Sequence, residues 1–172
     1  MSKLVTIEGQ QAAVPNPMKS GPYRSVPLAA VILSFAVVAM YWTALPDTIP
    51  THYDLNGVAD DYGSKWLLWL LPVINLFLFV VIEKSVQPSW QRFNVPLVEV
   101  TEQNAARQQR INVTLAAQVR VVITVMLAYL SYTFATVAAT RRDTLSVGAL
   151  FGMLALLVAI IGYHVYKSVK EK

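Results

Sequence analysis

Cysteine is absent from the chain, which excludes a disulfide framework, thiolate catalysis and any zinc site built on cysteine. Histidine occurs only twice, whereas metal hydrolases usually show more histidines. Charged residues make up 14% of the sequence and hydrophobic residues 55%. A soluble domain carries about 25% charged residues, so the shortage of charge indicates a membrane protein.

Four long apolar runs account for the excess of hydrophobic residues. A helix needs about 20 residues to cross the hydrocarbon core, and backbone groups in lipid must bond within their own segment. The sequence therefore predicts an all-α integral membrane protein with four transmembrane helices. The predicted parts are a flexible tail (1–25), spans (26–45, 66–82, 113–139 and 145–166), a loop (46–65) and a connection (83–112).

Lysine and arginine are distributed unevenly among the parts of the chain outside the spans. They concentrate in the tail, in the 83–112 connection and at the carboxyl end, and few lie in the other two loops. By the positive-inside rule, both termini are cytoplasmic and the 46–65 loop faces outward from a bacterial inner membrane. The basic residues lie singly or in pairs at the edges of apolar runs, so no nucleic-acid partner is expected.

The outward loop is the most polar connection and is predicted to form a β-hairpin. Asn56-Gly57 is a strong signal for a two-residue type I′ turn, because that turn needs positive φ at both central residues. In this register His52 lies directly across from Asp61, and Asp54 shares their face. These three side chains could form an ion pair or hold a divalent metal. A calcium-loop register starting at His52 is a weaker alternative.

Other loop residues indicate a capped, rigid connection. Pro46 and Pro50 stiffen its start, Asp47 suits an Asx-type turn, and Ser64 suits the N-cap of the next helix. The structural motif residues are Pro46, Asp47, Pro50, Asn56, Gly57, Gly63 and Ser64. The candidates for binding a polar ligand are His52, Asp54, Asp60, Asp61 and Lys65.

Two polar residues lie inside the predicted spans. Asn75 is expected to hydrogen-bond to a neighbouring helix. Arg120 is expected to extend its stem and reach the cytoplasmic headgroups, although charges within spans are often functional. His164, near the cytoplasmic end of the last span, is interpreted as an interfacial residue rather than a ligand.

The loop motif resembles that of a known family. Leu45-Pro46-Asp47, Ile49-Pro50, His52, Gly57, Asp60 and Gly63-Ser64-Lys65, followed by an apolar helix with a proline, are similar to the signature of the SdpI-like bacterial membrane proteins. The pattern belongs to their N-terminal membrane domain of unknown function, and longer members carry further spans after it. The resemblance implies an inner-membrane protein related to one that protects a producing cell from its own toxin and sequesters a repressor.

Three functional hypotheses follow. The first is a non-enzymatic immunity or sensor protein whose outward loop recognises a peptide, toxin or ion and whose cytoplasmic side meets a partner. The second is a metal-dependent envelope enzyme using His52 and the loop aspartates. The sequence lacks a nucleophile–base–orienter set, so no catalytic residue is assigned. The third is an accessory subunit of a larger membrane complex or transporter.

Overall fold

Helices dominate the chain, with one small sheet between the first two. The computed structural model describes residues 15–86, 98, 100–101 and 103–171. Its helices are α1 (Pro22–Tyr41), α2 (Leu70–Ser85), α3 (Ala105–Ala139) and α4 (Gly148–Lys170), and its antiparallel strands are β1 (Thr48–Tyr53) and β2 (Ala59–Ser64). The predicted helical membrane fold with a hairpin between its first two helices is confirmed.

The distribution of polarity is inverted relative to a water-soluble bundle. Large apolar side chains face outward, with Ile32 58% and Val158 69% exposed, while Asn75, Thr124 and Arg120 are fully buried. Four segments are long and apolar enough to cross a bilayer, the second of them extending over Lys65–Ser85. Lipid around the outward apolar surface explains this arrangement, since in water that surface would remain exposed at high cost.

The helix ends follow local chemistry. Pro22 occupies the first position of α1, where its missing N–H costs nothing, so the helix starts earlier than the predicted residue 26. A 3-10 turn, Pro17–Lys19, precedes it and is capped by Asn16. A second 3-10 turn, Lys65–Trp69, leads into α2, and Ser64 accepts the N–H of Trp66 at 3.4 Å, as expected of its N-cap.

The third helix is longer than the bilayer is thick. Its 35 residues extend about 52 Å, whereas the hydrocarbon core measures about 30 Å. It therefore continues beyond the bilayer at its Ala105 end. Residues 1–14 of the predicted tail and 87–97 of the predicted connection lie outside the described part of the chain.

A compact apolar cluster joins the hairpin to the adjacent helix ends. Its buried members come from α1, the connection that follows it, the hairpin, the second 3-10 turn and α3: Val38, Leu45, Ile49, Leu68, Ala135 and Ala138. Trp42 packs beside this cluster, with its ring centroid 4.7 Å from that of Trp66 and 5.6 Å from that of Trp69. The hairpin is therefore packed against the bundle rather than projecting from it.

Candidate functional site

Asp54 organises the turn of the hairpin. Its Oδ1 accepts the backbone N–H groups of Asn56 (2.9 Å) and Val58 (2.8 Å), and its Oδ2 accepts Asn56 Nδ2 at 3.2 Å. These hydrogen bonds, that from Val58 foremost, lower the pKa of Asp54 because they favour its charged form. The Asp54 carboxylate is thus committed to holding the turn.

The predicted two-residue type I′ turn is wrong. The backbone N–H of Asp54 donates to Val58 O and that of Gly57 to Asp54 O, both at 2.9 Å, which leaves a three-residue loop. Gly57 has a φ of +80°, while Asn56 does not have the positive φ that a type I′ turn requires. Three-residue loops characteristically end on a residue with positive φ. The longer turn forms because Asp54 satisfies two of its N–H groups.

His52 and Asp60 form an exposed pair at an irregularity in the sheet. Most backbone partners are shifted by one from the predicted register, for example Tyr53↔Ala59 and Pro50↔Tyr62. Locally, however, His52 lies opposite Asp61, as predicted, because Thr51 and Asp60 are each left without a partner. His52 Nδ1 lies 2.6 Å from Asp60 Oδ1 rather than pairing with Asp61, and the two side chains are 68% and 49% exposed.

The proposed metal ligands do not converge. Asp54 holds the turn, Asp61 accepts the N–H of Tyr62 at 2.9 Å, and His52 pairs with Asp60. Within the described residues, no three histidine, aspartate or glutamate side chains lie close enough together to hold a metal. The structure therefore gives no support to the set of His52, Asp54 and Asp61, nor to the calcium-loop register.

The other motif residues build the base of the hairpin. Lys65 Nζ lies 2.9 Å from Asp47 Oδ1, and the Lys65 N–H donates to Asp47 O at 3.0 Å, so this pair closes the two strands. Pro50 is buried and Pro46 is half-buried. A Cβ at Gly63 would lie 2.9 Å from Leu67 Cδ1 and 3.0 Å from Thr51 Cγ2, so a larger residue there would displace these side chains. Lys65, a candidate for ligand binding, is thus paired with Asp47 in this structure.

The connection between α3 and α4 adds a further layer to the hairpin. Ala59 N–H donates to Asp143 O at 2.8 Å, and Leu145 N–H donates to Gly57 O at 2.7 Å. Val58 and Thr144 form an isolated antiparallel bridge between these bonds. A Cβ at Gly57 would lie 2.0 Å from Leu145 O, so glycine is required by contact as well as by its φ.

Two tyrosines fix the hairpin to α3 and to this connection. The Tyr53 ring packs edge-on against Phe134 with centroids 5.0 Å apart, and burial, followed by the charges at Tyr62 and Asp143, raises the pKa of Tyr53 to about 12. Tyr62 Oη donates to Asp143 Oδ1 at 3.1 Å, a hydrogen bond that raises the pKa of Tyr62. Sequence reasoning missed Asp143, because it lies 81 positions from Tyr62.

Asn75 makes the interhelical contacts expected of it. Its Nδ2 donates to Ser34 Oγ on α1 at 3.3 Å and to the Thr124 carbonyl on α3 at 3.1 Å. The Thr124 hydroxyl donates to the Arg120 carbonyl one turn earlier, at 2.8 Å. One amide therefore connects three helices in the apolar layer.

Arg120 is buried inside the protein, and the prediction that it reaches the headgroups is wrong. Its side chain is fully inaccessible, and Nη1 donates to Glu83 Oε2 at 2.8 Å. Nη2 donates to the carbonyls of Met18 (3.2 Å) and Tyr23 (2.7 Å), and the guanidinium lies 4.8 Å from the centroid of Phe79. It lies there because α1, α2 and the first 3-10 turn together supply three acceptors inside the protein.

Pro27 is the sequence signal that could have located Arg120. Proline has no N–H, so the carbonyl four residues earlier in the helix, that of Tyr23, loses its intrahelical partner. Arg120 donates to that carbonyl. A proline within one apolar span and an arginine within another thus complement each other, whereas the Glu83 partner carries no comparable signal.

Comparison with known proteins gives one family match. Residues 29–76 match the model of a family described as a domain of unknown function, DUF1648. No curated protein and no solved structure matches the chain. The matched stretch covers most of α1, the entire hairpin and the start of α2, and it supports an uncharacterised membrane-type domain. The resemblance to SdpI-like proteins stays a prediction.

Proposed function

We propose that this chain is a non-enzymatic bacterial inner-membrane protein of the immunity or sensor type. Its hairpin faces outward and recognises a peptide, toxin or ion through the surface around His52 and Asp60. The observation that carries the proposal is the exposed imidazole–carboxylate pair on a hairpin that is fastened on both sides.

The use of polar groups within the hairpin supports a recognition role. Asp54 and Asp61 cap backbone N–H groups, and Asp47 pairs with Lys65. His52 and Asp60 differ, because among the described residues their side chains bond only to each other, and both stay in contact with solvent. An exposed pair of this kind contributes little to stability, so it can open to a ligand at little cost to the fold. An acceptor and a donor held 2.6 Å apart suit a polar or charged ligand.

The rigidity of the hairpin supports the same role. Tyr53 fastens its inner side to α3, and Asp143 and Leu145 bond to its turn. A surface held in advance loses less conformational entropy when a ligand binds. The pair can therefore bind without the loop having to order first.

The orientation is tested by labelling, and the absence of cysteine makes the chain a clean background. Asn56→Cys in the turn and Ser20→Cys at the other end each introduce one exposed thiol. With a membrane-impermeant maleimide on intact cells, Asn56→Cys is expected to react and Ser20→Cys to react only after lysis. The reverse pattern contradicts the outward orientation.

Recognition is tested by challenging a deletion strain, complemented with variants, with secreted antimicrobial peptides and envelope stresses. His52→Ala and Asp60→Ala are expected to abolish the response that the wild-type gene restores, while Thr48→Ala, an exposed change in the same strand, preserves it. Protein levels in the membrane are measured in parallel. Identical responses of wild-type and His52→Ala strains to every challenge contradict the recognition role.

A further inference from the structure

A basic groove lies between α3 and α4 at the end of the bundle opposite the hairpin. It has a volume of about 550 Å³ and lies between the first three turns of α3 and the last two turns of α4. Arg107, Arg110 and Thr114 line it from α3, and His164, Lys167 and Glu171 line it from the other side. This is the end at which α3 extends beyond the bilayer, so the groove lies at headgroup level.

The groove has a fixed width because a buried polar contact holds its two helices together. Gln108 Nε2 donates to the carbonyls of Ser168 and Glu171, both at 3.1 Å, and Ser168 Oγ donates to Gln108 Oε1. Gln108 and Ser168 are 1% and 3% exposed. The contact anchors the carboxyl end of α4, which otherwise packs loosely, with 6% of its apolar window buried.

The charges in the groove are unbalanced. Arg107, Arg110 and Lys167 contribute three cations, while Glu171 is the single acid among the lining residues. In the part of the chain that the structure describes, none of these three cations lies within 4.0 Å of a carboxylate. The Arg120 guanidinium, in contrast, is paired with Glu83. Three cations around one cavity that holds a single acid favour an anionic ligand.

His164 forms the membrane-side wall. The side chain is buried, and its Nδ1–H donates to the Ile160 carbonyl at 2.9 Å, which leaves Nε2 as the ring atom free to meet a ligand. The interpretation of His164 as a simple interfacial residue is therefore too coarse, since the residue is 5% exposed and lines the groove.

We propose that this groove binds the phosphate group of an anionic phospholipid. Arginine forks suit phosphate oxygens, and basic pockets between transmembrane helices at headgroup level are typical sites for such lipids. The apolar surface of α4 adjoining the groove is exposed, with Ile161 42% and Val165 36% accessible, and offers a path for the acyl chains. This inference is independent of the hairpin and of the proposed function.

The test measures lipid retention by native mass spectrometry of the full-length protein, released from micelles that contain equal amounts of phosphatidylglycerol and phosphatidylcholine. Wild-type protein is expected to retain phosphatidylglycerol selectively. Arg107→Gln/Arg110→Gln is expected to lower this retention on the order of twentyfold, about fivefold for each cation removed. Arg141→Gln/Arg142→Gln, at the hairpin end, removes the same charge and is expected to change nothing. Equal retention by the two double variants overturns the proposal.

Two further variants separate binding from a structural role. Glu171→Gln removes the acid of the groove and is expected to raise phosphatidylglycerol retention, whereas unchanged or lower retention counts against the proposal. Arg110→Lys keeps the charge and is expected to retain at least half of the lipid. If the double glutamine variant loses helix content by circular dichroism, Lys167→Gln replaces it, with an expected fivefold loss.

The source of the phosphate is decided by calorimetric titration of inorganic phosphate into protein held in zwitterionic micelles. No heat attributable to the groove is expected, because free phosphate lacks the acyl chains that the α4 surface accommodates. Saturable binding that the Arg107→Gln/Arg110→Gln variant loses, without selective lipid retention, overturns the lipid assignment in favour of a soluble phosphate.

Discussion

At the hairpin end, His52 and Asp60 meet with both side chains largely in water, whereas Arg120 meets Glu83 with its guanidinium entirely removed from water. Both contacts bring a basic nitrogen within 3 Å of a carboxylate oxygen, yet their energetic consequences differ. An exposed pair exchanges hydration for a contact of similar strength, so it adds little stability. A buried arginine has lost its hydration on folding, and only its protein partners compensate for that loss. The stability of the fold therefore depends on those partners. Distance alone therefore does not indicate which pair maintains the structure.

Removing the buried arginine is expected to have the largest effect. Arg120→Met leaves the carbonyls of Met18 and Tyr23 without a donor and Glu83 without its partner, and should lower the free energy of unfolding by about 3–5 kcal/mol. The measurement is reversible unfolding in mixed micelles of increasing dodecyl sulfate content. Arg142→Met, exposed at the other end, is the control and should change stability by less than about 0.5 kcal/mol. Equal losses would place Arg120 in contact with headgroups after all.

A smaller loss is expected when the hairpin is separated from the α3–α4 connection. Gly57→Ala places a Cβ 2.0 Å from Leu145 O at a φ of +80° and should cost about 1–3 kcal/mol. Gly152→Ala, within α4 and with open space around it, should instead add about 0.5–1 kcal/mol through helix propensity. Mixed-micelle unfolding measures both. Destabilisation of similar size at the two glycines would contradict the close approach of the turn to Leu145.

High pH is expected to loosen the hairpin while leaving the Arg120 end intact. The folded-state pKa of Tyr53 is raised to about 12 from an ordinary value of 10.0, so its stabilising contribution is complete below pH 10 and is lost as the pH rises towards 12. Arginine stays protonated over this range. Tyrosinate absorbance should report the late titration, and Tyr53→Phe should reduce the alkaline loss of hairpin order, the remainder coming from the Tyr62–Asp143 hydrogen bond. A Tyr53 that titrates at its ordinary pKa would show that its ring is not buried on Phe134.

The smallest effect on stability is expected at the exposed pair. His52→Ala should change the free energy of unfolding by at most about 0.5 kcal/mol, because the pair is screened by water. Asp54→Ala, in the same loop, is the matched contrast: it removes two acceptors for backbone N–H groups and should cost more. A His52→Ala protein as unstable as Asp54→Ala would assign His52 a structural role and remove the main support for recognition.

The features that sequence alone predicted are those governed by local chemistry. Continuous apolar runs predicted the helices, turn residues predicted the hairpin, and Asn75, as an amide in a span, needed a partner in a neighbouring helix. The N-cap role of Ser64 was likewise predictable, because this serine comes directly before an apolar helix. In each case the feature is determined by residues close together in the chain or by the lipid that surrounds the span.

The features that escaped prediction depend on contacts distant in the chain or on competition between turns. The hairpin register differed by one residue because the Asp54 side chain selects a longer loop than Asn56-Gly57 alone would. Arg120 was predicted to reach the headgroups because the sequence does not show which face of a span is buried against other helices. Its acceptors also lie 37 to 102 positions away in the chain. The pairing of His52 with Asp60 required a sheet irregularity that alternation does not anticipate.

The two hydrogen bonds that Gly57 O and Ala59 N–H make with the α3–α4 connection have a mechanical consequence. Any tilt of the turn must either drag residues 143–145 along or rupture both bonds. Because α4 begins three residues after Leu145, a displacement of the hairpin is expected to be transmitted to the start of the last helix, whose other end is held by Gln108.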